Sequence, residues 1–208
     1  MQAMIIQFLL GLLIDLVKKI LGGVAVVLPT GPIKEKGVKL IFGLISKWFE
    51  KNLVDGKGPF DDSDLRAVTK IISQRKGELV LLFANKGFDG LMEALKIEAI
   101  DTENTLDDLK VEAVTKAIDV GLISLGDWMQ SHLETTLKGL LTARQCELIL
   151  ISLRSGTEGL FDGLKKDAEE TVGGMDDMIV ATVENAVKLI LVQLQNWVET
   201  ELETVEIG

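Results

Sequence analysis

Two stretches of the chain, offset by 69 residues, carry the same pattern, and that duplication limits the fold more than any other feature. Glu78-Leu-Val-Leu-Leu reads onto Glu147-Leu-Ile-Leu-Ile, and Gly87 and Gly90 read onto Gly156 and Gly159. Leu91, Leu95 and Lys96 match Leu160, Leu164 and Lys165, and Asp107-Asp108 match Asp176-Asp177. Trp128 matches Trp197, and Leu133-Glu134-Thr135 match Leu202-Glu203-Thr204. A register held over about sixty residues without a gap marks an internal repeat, and each copy of a repeat needs a neighbour to cover its apolar face.

The apolar spacing within the copies names the element. Val111, Val114, Ile118, Leu122, Leu125, Met129 and Leu133 recur as Val180, Val183, Val187, Leu191, Leu194, Val198 and Leu202. Steps of three and four residues draw one stripe along a helix, whereas a strand would alternate. The aspartates before each stripe can cap free N–H groups and meet the positive end of the helix dipole. A degraded third copy lies at the N-terminus: aligning Trp48 with Trp128 puts Val38, Phe42, Ile45, Phe49 and Leu53 on the same stripe.

These patterns predict an all-α chain forming one domain over residues 1–208. It would contain three amphipathic helical hairpins, at about 3–53, 78–136 and 147–205, packed as an irregular bundle or short solenoid. That makes about six long helices, with a connector helix near 62–76 capped by Asp61, Asp62 or Ser63. Gly87 and Gly156 are expected to end or kink the first helix of their units. Val24–Leu28 is a short apolar run, a buried link or a strand, and Asp55–Pro59 reads as a loop.

Charge narrows the partners. The chain carries −10, yet residues 1–53 carry +4 and the remainder −14. So acidic a body speaks against nucleic acid, whose phosphates call for clustered Lys and Arg. Met4–Leu21 is apolar except for a narrow face with Gln7, Asp15, Lys18 and Lys19. Charge inside the segment argues against a membrane span, and positive charge after the apolar run is the wrong order for a secretory signal. Two readings remain for it, a core helix or a helix lying on a membrane surface. A cytoplasmic or peripheral membrane location is expected on these grounds.

Residue types that carry chemistry are sparse. His132 is the only histidine and Cys146 the only cysteine, which leaves no multi-histidine metal site and no internal disulfide. Cys146 reads as a small buried hydrophobe. The Asp55–Asp64 stretch lacks the alternate ligands and closing Glu of a calcium loop. Gly87-x-x-Gly90 and its copy lack the Lys-Ser/Thr of a phosphate loop. No catalytic residue, metal or cofactor is expected.

With hydrophobic residues at 47% and a mean hydropathy of +0.30, the aliphatic mass is large. It predicts non-enzymatic binding of an apolar small molecule or lipid, with Phe8, Leu12, Phe42, Ile45, Leu122, Met129, Leu191 and Val198 facing the ligand. The three tryptophans, beside the stripes, would rim an apolar cavity or lock neighbouring helices. The alternative is a structural subunit, a homo-oligomer stacking head to tail through its basic first unit and acidic last unit.

Overall fold

A computed structural model describes residues 11, 15–21, 34–49, 51, 76–101, 108–171 and 175–205. The described residues are helical, with no strand among them. We label the helices α1 (residues 15–21), α2 (Glu35–Phe49), α3 (Lys76–Asp101), α4 (Asp108–His132), α5 (Ala143–Glu169) and α6 (Met175–Val205). The expected run at 24–28, the loop at 55–59 and most of the connector helix near 62–76 lie outside the described residues.

The predicted stripes form the interior. Val111, Val114, Ile118, Leu122, Leu125 and Met129 of α4 are all buried. On α6 the equivalent Val180, Val187 and Leu191 are buried, and Val183 and Leu194 pack against them in part. Val38, Phe42 and Ile45 of α2 join the same core. Leu16, Val17, Ile20 and Leu21 of α1 are buried too, so the described end of the N-terminal apolar segment turns its aliphatic face inward. Each such side chain contributes roughly 1.5–3 kcal/mol when fully buried.

At the centre, α3 and α5 make the most extensive contact among the described helices, and α4 and α6 each pack against both. Neither central helix is straight. Arg144 and Asp167, near opposite ends of α5, are joined by two hydrogen bonds of 2.9 and 2.5 Å. A straight helix would hold them about 34 Å apart at 1.5 Å per residue. The chain therefore doubles back at Ser155 and Gly156, where Gly156 has φ 62° and ψ −151°. Gly87 of α3 has nearly the same angles, φ 59° and ψ −147°. This left-handed backbone costs any residue with a Cβ, so glycine takes both places. Behind each turn, a Cβ on Gly90 would come within 3.2 Å of Leu82 and one on Gly159 within 3.2 Å of Ile151, pairs 69 residues apart.

The two turns also touch. A Cβ on Gly87 would lie 2.5 Å from the carbonyl oxygen of Leu153, and one on Gly156 would run into the backbone carbonyl of Asn85. Phe83 and Phe88 close the α3 turn edge to face, their centroids 5.1 Å apart.

The start of α5 is set locally. Thr142 accepts a hydrogen bond from the Gln145 amide at 3.2 Å, and Gln145 Oε1 accepts one from Thr142 at 2.9 Å. This reciprocal capping box satisfies two orphan donors and accounts for a glutamine only 1% exposed. On α4 and α6, Asp108, Asp176 and Asp177 fall in the first turn, where the dipole favours carboxylates.

Candidate functional site: an apolar cleft between α2 and α4

α2 meets α4 across a cleft of about 190 Å³. Leu44, Ile45 and Trp48 line it from α2, with Ile118, Gly121, Leu122, Ser124, Leu125 and Trp128 facing them from α4. Ser124 is the one polar side chain among these, so the wall is almost wholly aliphatic and aromatic.

Gly121 lets the two helices' walls approach closely. The Trp48 ring lies against it so closely that a Cβ there would come within 2.7 Å of the ring. Glycine in a helix interior costs roughly 0.5–1 kcal/mol relative to alanine, which close approach of the indole offsets. Under the 69-residue offset the equivalent position on α6 is Ile190, a partly exposed residue. The far wall is braced by Trp128, which stacks on His132 at 4.5 Å with the planes 19° apart. The imidazole is held in turn: His132 Nδ1 lies 2.8 Å from the Trp128 carbonyl and 2.9 Å from Ser131 Oγ.

Of the eight residues predicted to face a ligand, Ile45 and Leu122 line this cleft. Leu191 lines a separate groove between α3 and α6. Phe42 and Met129, 2% and 1% exposed, belong to the packed core and line neither space. Phe8 and Leu12 lie outside the described residues, as does the side chain of Val198 on α6. Trp48 and Trp128, expected either to rim a cavity or to lock helices, line the cleft as well. Leu44, Ile118, Gly121, Ser124 and Leu125 join them without having been singled out by the sequence as lining residues. The tryptophans carried a usable signal, their matched places beside the stripes; the signal for Gly121 was a glycine inside a strong helix pattern.

The candidate chemistry groups are occupied structurally. Cys146 is 5% exposed, and burial pushes its thiol up to about 11. It is therefore a protonated, packed side chain at neutral pH. His132 is engaged with Trp128 and Ser131, not with Cys146. Among the described residues, no group of three or more His, Cys, Asp or Glu side chains is placed to hold a metal ion. No helix of the described residues is long and apolar enough to cross a membrane.

A second kind of apolar surface was not anticipated. Leu109, Val120 and Ile123 of α4 are each more than half exposed, and so are Met178, Leu189 and Val192 of α6. The two sets are equivalent under the 69-residue offset. At 100° per residue each set spans about 60° and lies opposite the buried stripe of its helix. Each long helix thus carries three exposed apolar residues on the side away from its buried stripe, interspersed with Lys116 and Asp127 on α4 and with Asn185 and Asn196 on α6.

No family model matches the chain, and no curated protein or solved structure does either.

Proposed function

We propose that this protein is a non-enzymatic binder of a small apolar molecule, or of the end of an acyl chain, held in the cleft between α2 and α4. The cleft itself carries the reading: 190 Å³ of almost purely apolar space between two tryptophans, one of them seated against a glycine in a helix interior. Apolar cavities of roughly 150 Å³ stay dry and take up benzene, so a ring or a short alkyl segment matches this volume. Under the 69-residue offset Gly121 of α4 corresponds to Ile190 of α6, so α6 lacks the glycine against which Trp48 packs.

Trp48 and Trp128 make the cleft its own reporter. Titration of the full chain with cyclohexane should change the tryptophan emission saturably. Gly121→Ile, which copies the α6 residue, should weaken that response at least about tenfold, the effect of losing roughly 1.4 kcal/mol of contact. An unchanged response in a variant that stays helical, or no saturable response in the parent, would refute the reading.

A second reading has its own support. The matched exposed ridges on α4 and α6 favour association between copies of this chain, since apolar side chains on the outer side of a helix call for a partner. Charges on and along the outer face of α4 are paired, Lys116 with Glu112 at 2.7 Å and Asp119 with Arg154 of α5 at 3.0 Å. Such edges suit a protein face better than an anionic lipid surface.

A further inference from the structure

We propose a second binding site, in the groove between α3 and α6, for an uncharged amphiphile: an aliphatic chain ending in a hydroxyl or amide head. The groove is open to solvent and offers about 590 Å³, a volume within the roughly 300–1,000 Å³ span of small-molecule sites. Leu81, Leu82, Leu191 and Val192 form its apolar surface, and Glu78, Asn85 and Lys188 supply its polar groups.

The duplication provides an internal control. Shifted by 69 residues, Asn85 becomes Arg154, and Lys188 corresponds to Asp119. In that other half the pair forms a 3.0 Å salt bridge that ties α5 to α4 across the equivalent place. In the groove the two positions have diverged. Lys188 reaches along its own helix to Glu184 at 2.9 Å, and Asn85 Oδ1 accepts a hydrogen bond from Thr157 at 3.5 Å. The bridge between helices has been exchanged for an opening with a polar rim.

The rim selects the head group. Glu78 and Lys188 carry opposite charges, and Glu184, which pairs with Lys188, is matched in turn by Lys165. The rim and its ion pairs therefore sum to no formal charge, and an ionic head would enter beside a like charge and lose part of its hydration. A hydroxyl or amide donates and accepts, and so matches groups of both signs. The aliphatic surface beneath accounts for the chain.

The test uses the full chain with methyl-labelled Leu, Ile and Val, titrated with decanol, decanoate and decyltrimethylammonium below their micellar concentrations. Decanol should shift the Leu81, Leu82, Leu191 and Val192 methyls saturably, binding at least about tenfold more tightly than either ion. The double variant Asn85→Arg with Lys188→Asp grafts the salt bridge of the other half and should abolish those shifts. Its cyclohexane response at the Ile45 and Ile118 methyls should persist, reporting a folded chain with the first cleft intact. Should the graft disturb folding, Val192→Asp at an exposed position is the substitute, and it too must weaken decanol binding. Undiminished decanol binding in the folded variant would overturn the proposal. Equal affinity for all three head groups would overturn it as well.

Discussion

Glu184 illustrates how single side chains tie the elements together. It sits on α6, 16% exposed, between Lys165 of α5 at 3.0 Å and Lys188 at 2.9 Å. Burial works to raise its pKa, but the hydrogen bonds from Lys188 and Lys165 outweigh that and hold it below the ordinary 4.5. A depressed carboxyl stabilises the fold above its unfolded pKa, and that stability is lost as pH falls through the folded value. The melting temperature should therefore decline between about pH 5 and about pH 3, and Glu184→Gln should make the decline shallower. An identical slope in the variant would show that the carboxylate contributes nothing. Sequence spacing reveals the pairing of Glu184 with Lys188, four residues apart on a helix. It hides Lys165, which meets Glu184 only where α5 packs on α6, and hides Arg144 against Asp167, which meet only after α5 has doubled back.

Among the elements, the two doubled helices set the geometry of everything else. Gly87 and Gly156 were readable as breaks, since glycine inside an apolar helix pattern needs a reason. That each break is a reversal was not readable: the angle between the arms is decided where the turns touch, through the carbonyls of Asn85 and Leu153. Gly156→Ala would carry about 1–2 kcal/mol for a left-handed residue and about 1–3 more for displacing backbone in a packed centre. A urea denaturation midpoint should fall accordingly. Gly43→Ala, on α2 with nothing within 4 Å of the added methyl, is the matched control. It should gain up to roughly 1 kcal/mol. Should Gly156→Ala cost no more than a few tenths, the turn does not hold the centre together.

For the whole molecule, the stripes foretold which helix faces are covered, and α4 and α6 cover them as expected. They did not distinguish a wall from a filled core. Ile45 and Leu122 border the cleft while Phe42 and Met129, on the same stripes, are packed solid. The difference arises at Gly121, one residue off the stripe, whose effect depends on where Trp48 lands. The outer ridges also belong to this scale. If copies associate through them, sedimentation should show a concentration-dependent species that persists at high salt, because apolar contacts are not screened. Replacing Val120 and Leu189 with Asp should return it to monomer, and a parent chain that is monomeric throughout excludes that association.

The cleft between α2 and α4 remains the feature from which the functional reading is drawn, and a crystal pressurised with xenon examines it with no assumption about the natural ligand. The account predicts a xenon atom between Trp48 and Trp128, beside Gly121 and Leu122. A cleft closed by collapsed side chains, with no xenon between the two indoles, would contradict it.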